Sequence, residues 1–449
     1  MRKIIFQLFI VSVFISCNQP EIKKSNYNIL DEKDRAILRD EIIEDRFNNL
    51  LPKLMDETDI DMWVVISREY NEDPVIKTML PSVWLNARRR TILVFYRNKE
   101  NNTIEKLAVA RYDVGKNIKS AWNKEKEPNQ WKALNRIIEE RNPTKIGINI
   151  SKHFALADGL VKTDYDEFVE NLSKANQQKI VSAEKLAIGW VETRTPKEME
   201  LFRKLVKITH DIIDEAFTNN VIKPGETTTD DVVWWMRQKV TDLGLETWFH
   251  PTIDVQRSKE PLKSHIYSFS KTKDNQVIFP GDLLHCDFGI SYIGLNTDCQ
   301  QHAYVLGKDE TEVPAFLADA FAKGNRLQDI LTTNMQTGKT GNEILAASLQ
   351  QAKKEGLQPS IYSHPLGLFG HSAGTTIGMW DSQGGVPVRG DYPLHNNTVY
   401  AIELNVTVPI KEWQKDIRIM LEEAGFFGDG KHEYVNERQE AIKPIKINY

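Results

Sequence analysis

The sequence predicts an α/β domain followed by an α+β domain, and three observations support this division. A chain of 449 residues is longer than one hydrophobic core normally serves, which favours two domains. Segments with strand-like and helix-like patterns alternate from residue 29 to about residue 185, as in an α/β domain. A strong helix-start signal at Thr195 then opens a second domain, residues 190–449, in which strands and turns predominate and a few helices are interspersed.

The first domain, residues 29–185, is predicted from its apolar periodicity. Apolar residues recur at helical spacing, while short β-branched and aromatic runs are typical of buried strands. The predicted helices are Asp31–Met55 and Trp131–Arg141, and the predicted strands are Met62–Ile66, Arg90–Tyr96, Leu107–Ala110 and Lys145–Asn149.

The second domain begins with a helix whose start is predicted by the segment Thr195-Pro196-Lys197-Glu198. Thr195 is a suitable N-cap, Pro196 suits the first helical position, and Glu198 can complete a capping box. Further helices are predicted at about 229–243, 313–331 and 341–355.

Composition narrows the class of function. The formal net charge is −5 and the mean hydropathy is −0.44, which indicate a soluble globular protein and give no reason to expect nucleic-acid binding. The three cysteines, Cys17, Cys286 and Cys299, are too few for a disulfide framework and lack zinc-finger spacing.

The N-terminus predicts export. Residues 1–16 contain a basic pair followed by an apolar run that is short for a membrane span, which is typical of a signal peptide. Ser16-Cys17 ends this run in a pattern that resembles a bacterial lipobox, and residues 17–28 read as a polar tether. We therefore expect an exported bacterial lipoprotein held at the membrane by an acyl chain on Cys17, on the periplasmic side. An ordinary signal peptide followed by an incidental cysteine is the alternative.

Two aspartates mark the segment most informative about chemistry. Asp287 lies in an apolar strand-like run, Asp298 follows eleven positions later, and a glycine-bounded turn separates them. An antiparallel hairpin would bring the two side chains together. Because an unpaired carboxylate in an apolar strand costs several kcal/mol, a cation is expected nearby. The pair alone is equally consistent with an accidental arrangement.

A candidate metal site is completed by His364, Glu403 and Glu422. His364 and His371 lie in a stretch rich in glycine and proline, so they are expected on a loop or irregular strand rather than a helix. Glu403 stands within an apolar run, and Glu422 ends another. Four carboxylates and one neutral imidazole balance the charge of two divalent ions. Hard oxygen ligands with one nitrogen suit Mn²⁺, Co²⁺, Fe²⁺ or Zn²⁺, and such a pair of ions supports hydrolysis.

These residues resemble the pita-bread-fold metallopeptidases, which include aminopeptidase P, prolidase, methionine aminopeptidase and creatinase. The family's ligands occur in the order Asp, Asp, His, Glu, Glu, which the residues Asp287, Asp298, His364, Glu403 and Glu422 match. The resemblance covers about residues 190 to 445 and implies a pita-bread catalytic domain. It further implies that residues 29–185 form a creatinase-like N-terminal domain.

The resemblance also implies roles for two more histidines and a substrate. His371 and His265 match family histidines that contact the substrate. The implied activity is Xaa-Pro aminopeptidase action on short peptides, with Mn²⁺ favoured and a homodimer expected. A prolidase-like dipeptidase or another short-peptide specificity is the first alternative. A metal-free creatinase-like hydrolase and a binding protein that has lost turnover are two others.

Three departures from the family pattern bear on specificity. Leu404-Asn405 follows Glu403 where the family has Pro-Gly, and Cys299-Gln300-Gln301 replaces the usual Thr-Arg-Thr stretch. Met420 stands where an arginine usually precedes the last ligand, with Arg418 two positions earlier. An alignment on Arg418 would put Met420 at the ligand position, and Glu422 is preferred because Glu422-Glu423 matches the acidic pair usual there.

Overall fold

The structure is a computed structural model that describes residues 27–101, 103–260 and 275–446. Residues 1–26, with the predicted signal peptide and Cys17, lie outside the described residues, as does His265. The helices of the first part of the chain are α1 (Glu32–Asp45), α2 (Leu51–Thr58), α3 (Pro74–Met79), α4 (Gln130–Arg141), α5 (Lys162–Glu170), α6 (Lys174–Gln177) and α7 (Glu184–Glu192). Its strands are β1 (Met62–Arg68), β2 (Arg90–Asn98), β3 (Thr103–Val109), β4 (Lys119–Ser120), β5 (Ile146–Ile148) and β6 (Ile180–Ser182).

These six strands form one mixed sheet in the order β4-β3-β2-β1-β5-β6. The strand β1 pairs antiparallel with β2 and parallel with β5. Successive residues of β1 alternate between the two faces, as strand geometry requires. Trp63 and Val65 pack against one helical layer, while Met62, Val64 and Ile66 pack against the other. The α/β character predicted for this region is confirmed.

The first predicted helix is interrupted. A π-helical turn, Arg46–Leu50, separates α1 from α2. Pro52 explains the break, because proline has no N–H to donate to the preceding turn and its ring crowds the carbonyl four residues earlier. The turn buries Arg46 and Phe47, so the interruption serves packing between the two parts of the chain.

The second part of the chain contains four α-helices and several small sheets in the described residues. Its helices are α8 (Pro196–Ala216), α9 (Thr229–Asp242), α10 (Ala315–Asn334) and α11 (Gly341–Lys354). Its strands are β7 (Thr252–Gln256), β8 (Leu283–Phe288), β9 (Ser291–Tyr292), β10 (Leu295–Asn296), β11 (Cys299–Val305), β12 (Gln358–Ile361), β13 (His364–Leu366), β14 (Thr398–Ala401), β15 (Leu404–Ile410), β16 (Lys415–Leu421), β17 (Ala424–Gly428), β18 (Lys431–Tyr434) and β19 (Lys443–Ile445). The strand orders are β19-β11-β8-β7, β12-β15-β16, β13-β14-β17-β18 and β10-β9.

The helix start at Thr195 forms as predicted. The Thr195 hydroxyl accepts from the Glu198 backbone N–H, and the Glu198 carboxylate accepts from the Thr195 N–H, which completes a capping box. Helices α8 and α9 then pack on the β7–β8–β11 sheet through a shared apolar core. A second core joins α10 and α11 to β15 and β16. Within the described ranges no helix combines the length and the apolar character needed to cross a bilayer.

Candidate metal centre

Each candidate ligand sits at or beside the end of a strand. Asp287 is the fifth residue of β8, and Asp298 immediately precedes β11, with the short β9–β10 ladder forming the tip between them. His364 begins β13, and Glu422 follows the last residue of β16. Glu403 was expected inside a continuous strand, but it lies in the two-residue break between β14 and β15.

The break at Glu403 has a clear physical reason. Its backbone carbonyl accepts hydrogen bonds from the backbone N–H of Tyr362, 3.1 Å away, and from the Ser363 hydroxyl, 3.2 Å away. These bonds replace the ladder bonds that a continuous strand would make. The chain therefore turns at this point, and the carboxylate faces the other candidate ligands rather than one side of a sheet.

The structure brings all five candidates together in two groups that share one residue. One ligand atom from each of His364, Glu403 and Glu422 lies within 4.8 Å of the others, and the same holds for Asp287, Asp298 and Glu422. Glu422 thus belongs to both groups. Such sharing is the arrangement expected for two neighbouring ions. Met420, the alternative to Glu422 in sequence, instead donates its backbone N–H to the ring of His302.

The buried polar atoms of this cluster test whether cations fit. Oδ1 of Asp298, Nε2 of His364 and Oε1 of Glu422 are buried and have no hydrogen-bond partner in the described part of the chain. All three are potential metal ligands, and buried polar atoms without partners are rare in folded proteins. The donor set therefore fits divalent cations that accept oxygen and nitrogen ligands.

The electrostatics agree with this fit. Burial raises the pKa of Asp298, Glu403 and Glu422 well above the ordinary range. Repulsion among these carboxylates and Asp287 raises the same pKa values further. Without a cation the cluster is costly at neutral pH, because buried carboxylates are held together. Asp287 is less buried than its apolar strand predicted.

The surroundings of His364 suit a neutral metal ligand. Burial, with a smaller contribution from His371, lowers its pKa to about 3. Its Nδ1 lies 3.0 Å from the carbonyl oxygen of Pro365, so Nδ1–H donates to that carbonyl. The lone pair of Nε2 is then left facing Glu403 at 3.8 Å and Glu422 at 3.9 Å. A backbone acceptor on the far nitrogen is a common way to fix a metal-binding tautomer.

His371 lies beside this cluster on an exposed loop. Its ring stacks edge-on against His364, with centroids 4.9 Å apart, and against Trp248, with centroids 5.2 Å apart. Gly370 permits this contact, because a Cβ there would come within 2.4 Å of the Trp248 ring. One atom each of Asp298, His364 and His371 also lies within 4.8 Å of the others. His371 is therefore placed to reach either an ion or a bound substrate.

Sequence reasoning missed residues that support the cluster. Gln300 donates to both Glu403 and Glu422, and His285 donates to Gln300. His302 is fully buried and bridges Leu284 and Met420 through hydrogen bonds, with its pKa lowered by burial to about 3. The signal available in the sequence was the departure at Cys299-Gln300-Gln301, which indicated an altered site without revealing these contacts.

A further group of potential ligands lies on the other side of the same strands. His210, Cys299 and Glu423 have ligand atoms within 4.8 Å of one another. Here Glu423 accepts from His210 at 2.7 Å, from Gln301 at 3.3 Å and from the backbone of Gln439 at 3.0 Å. Burial raises the pKa of the Cys299 thiol well above its ordinary range. The carboxylate is satisfied within the protein, so this group is a structural hydrogen-bond network.

A comparison with protein-family models identifies the family of the chain. The model described as metallopeptidase family M24 matches residues 200–423. The chain belongs to metallopeptidase family M24. The matched residues include all five candidate ligands and His371, so the M24 region of the chain contains the whole cluster. A search of curated proteins found no match.

Solved structures support the pita-bread fold and the domain in front of it. An X-Pro aminopeptidase from Thermotoga maritima aligns with a TM-score of 0.61 at 13% identity, over 87% of this chain and 99% of that one. An Xaa-Pro dipeptidase from Bacillus anthracis gives 0.56 at 15% identity, over 91% and 99%. A prolidase from Pyrococcus furiosus gives 0.54 at 15% identity, over 86% and 99%. The α/β domain followed by a pita-bread α+β domain is confirmed as the fold class.

Proposed function

We propose that this M24 chain is a two-metal aminopeptidase that releases the first residue from short peptides with proline in second position. The observation that carries the proposal is the sharing of Glu422 between the His364–Glu403 group and the Asp287–Asp298 group. Asp287, Asp298, His364, Glu403 and Glu422 would hold two divalent ions, with Mn²⁺ favoured over Co²⁺, Fe²⁺ or Zn²⁺. Bound there, two such ions would activate a water for attack and polarise a peptide carbonyl.

The protein's own side chains supply the remaining chemistry. His364 presents a neutral nitrogen at the pH values at which the carboxylates are ionised. His371 lies at the exposed edge of the cluster against Trp248, where its ring can donate a hydrogen bond to a substrate carbonyl. A donor aimed at a developing oxyanion contributes about 10²–10³ in rate. His265 is proposed as a second catalytic histidine from the family resemblance alone.

Proline specificity is supported by the neighbours named above, whose titles describe X-Pro aminopeptidase, Xaa-Pro dipeptidase and prolidase. These structures cover 87%, 91% and 86% of this chain, which is more than residues 190–449 alone could supply. The substitution of Met420 for an arginine removes a fixed charge and five donors, so the charged end of a substrate must be held by other groups.

Matched peptides test the proposal. Purified protein with Mn²⁺ is assayed on Xaa-Pro-Yaa, Xaa-Ala-Yaa and the dipeptide Xaa-Pro. A kcat/KM at least tenfold higher for Xaa-Pro-Yaa than for the other two supports the aminopeptidase. Preference for the dipeptide indicates a prolidase. Equal values for the two tripeptides would reject proline specificity while leaving the metallopeptidase in place. Turnover that survives removal of metal indicates a creatinase-like hydrolase, and metal binding without turnover indicates a binding protein.

We also propose that the chain is exported and anchored by a lipid on Cys17, on the periplasmic side of a bacterial membrane, and that it works as a homodimer. The apolar run of residues 4–15 and the Ser16-Cys17 ending support the first statement. The resemblance to proline-specific family members supports the second.

A further inference from the structure

The side chain of Gln300 reaches both glutamates of the candidate metal centre. Its Nε2 lies 2.6 Å from Oε1 of Glu403 and 2.9 Å from Oε2 of Glu422. The orientation of the amide follows from these contacts, because the opposite orientation would place the amide oxygen against two carboxylate oxygens. Both N–H groups of the amide are therefore donated to the two carboxylates.

The two carboxylate oxygens of each glutamate have different neighbours. Gln300 holds Oε1 of Glu403 and Oε2 of Glu422. The other two oxygens, Oε2 of Glu403 and Oε1 of Glu422, lie 3.8 Å and 3.9 Å from Nε2 of His364. The Glu422 oxygen and the His364 nitrogen are among the buried polar atoms that have no hydrogen-bond partner in the described part of the chain. Because the amide binds one oxygen of each glutamate, Oε2 of Glu403 and Oε1 of Glu422 are left facing His364.

The amide is itself fixed by a second contact. Oε1 of Gln300 lies 2.9 Å from Nε2 of His285, so this ring nitrogen carries the hydrogen and donates it. The carboxylate of Asp254 lies 3.4 Å from the other ring nitrogen. Asp254 and His285 are directly opposite each other on β7 and β8, and His285 is 4% exposed. The rotamer of Gln300 is consequently restrained from the side away from the ligands.

The backbone of Gln300 adds two further connections. Its Cα is in register with that of Asp287 across the β8–β11 ladder. Its N–H donates to the carbonyl of Glu422 at 2.9 Å, and its carbonyl accepts from the Glu422 N–H at 3.3 Å. One residue therefore contacts or pairs with three of the five candidate ligands, which come from three separate segments of the chain.

We infer that Gln300 is a positioning residue that sets the spacing of Glu403 and Glu422 for metal binding and is held in place by His285. The inference rests on the proposed two-metal function. Two amide hydrogens between two carboxylates offset part of their repulsion before an ion arrives, so less reorganisation is needed when the ion binds. This role gives a physical meaning to the glutamine that replaces the usual family residue at this position.

Gln301 provides a matched control. It is the adjacent glutamine and is also buried, but its Nε2 donates to Oε1 of Glu423 at 3.3 Å and, within the described residues, to none of the five candidate ligands. Gln300→Met and Gln301→Met each remove one carboxamide while keeping side-chain length. Apo-protein prepared with a chelator is titrated calorimetrically with Mn²⁺ alone. We expect at least one Mn²⁺ site of Gln300→Met to bind about 10–100-fold more weakly, and both sites of Gln301→Met to change less than threefold.

Two results would overturn the inference. The first is an unchanged or tighter Mn²⁺ affinity in Gln300→Met, which would show that the amide is neutral or that it holds the site closed. The second is an equal loss in both variants, which would show a general effect of packing. If Gln300→Met does not fold by circular dichroism, Gln300→Asn retains the amide on a shorter stem, and the same weakening is expected of it.

The same titration separates this inference from the proposed function. A wild-type protein that binds two Mn²⁺ ions and cleaves no peptide counts against the peptidase and leaves the role of Gln300 standing. If the wild-type protein cleaves peptides and Gln300→Met retains full Mn²⁺ affinity, the peptidase stands and the role of Gln300 is rejected. A wild-type protein that binds none of Mn²⁺, Co²⁺, Fe²⁺ and Zn²⁺ overturns both.

Discussion

Nη1 of Arg46 lies 2.9 Å and 2.8 Å from the two carboxylate oxygens of Glu198, and neither side chain is exposed to solvent by more than 1%. The pair joins the π-helical turn after α1 to the first turn of α8. Arg46 also donates to the carbonyl of Thr193 at 3.0 Å and to that of Trp190, and Arg194 approaches Glu198 at 3.2 Å. The two domains of the M24 chain therefore share a buried ion cluster.

Replacing Arg46 should destabilise the protein strongly. In Arg46→Met, Glu198 keeps only part of its compensation while it remains buried, and removal of one partner of a buried pair costs about 3–5 kcal/mol. The control is Arg203→Met, which breaks a surface pair with Glu433 and should cost about 0–1 kcal/mol. Urea unfolding measures both. A loss below about 1 kcal/mol for Arg46→Met would contradict a structural role for this cluster.

Replacing Glu422 should have opposite effects with and without metal. In the chelated protein, Glu422→Gln removes one of several buried, mutually repelling carboxylates, so its melting temperature at pH 8 should equal or exceed that of the wild type. With Mn²⁺ present the order should reverse, because a ligand at 100 times its Kd stabilises the wild type by about 2.7 kcal/mol. Thermal melts in EDTA and in Mn²⁺ test this. The same order in both buffers would argue against Glu422 as a metal ligand.

The role of His371 can be separated from metal binding. His371→Ala should lower kcat by about 10²–10³ while metal content stays near the wild-type value, because the ring is assigned to the substrate. The metal content and the turnover of the purified variant are measured on the same preparation. A fall of metal content by half would instead place His371 among the metal ligands, which its position near Asp298 and His364 makes a meaningful outcome.

Glu192 should make stability depend on pH. Burial raises its pKa from 4.5 to about 8. Below pH 4.5 both folded and unfolded chains carry the neutral acid. From there to about pH 8 only the unfolded chain ionises, so the free energy of unfolding falls by about 1.4 kcal/mol per pH unit from this group, and above pH 8 the fall ends.

The variant Glu192→Gln removes this contribution. Its unfolding free energy, measured by urea denaturation, should exceed that of the wild type increasingly as the pH rises from 5.5 to 7.5. Glu200→Gln, at an exposed position of α8, is the control and should keep the wild-type slope. Parallel slopes for Glu192→Gln and the wild type would show that the carboxyl is ionised in the folded protein.

The proposed anchor is tested at Cys17. Cys17→Ser should move the protein from the detergent-extracted membrane fraction to the soluble fraction, because an acyl chain contributes about 0.8 kcal/mol for each buried CH₂ group. Labelling with a radioactive fatty acid reports the lipid directly. A serine variant that still requires detergent would refute lipidation as the tether.

The sequence predicted the parts of the fold that depend on local patterns. The capping box at Thr195 and the hairpin carrying Asp287 and Asp298 follow from spacing and turn residues, and both occur. The π-helical turn before Pro52 and the break at Glu403 were missed, because each depends on what the neighbouring chain offers as a hydrogen-bond partner.

The residues of the candidate site likewise divide into those that the sequence predicted and those that it did not. Ligand-type residues could be found one by one from their chemistry and order. The contact between Gln300 and His285 could not, because it requires the register of β7, β8 and β11 to be known. A register shift of one residue would turn Gln300 to the other face of the sheet.

The candidate ligands lie on segments spread from Asp287 to Glu422, so the centre forms only when all of these segments have been synthesised. Because a preformed site rarely exists in an unfolded chain, an ion would be acquired only after these segments have folded together. Intrinsic affinity favours the later members of the divalent series over manganese. If the centre binds two ions as proposed, the metal acquired would depend on which ions are available where folding is completed, and not on affinity alone.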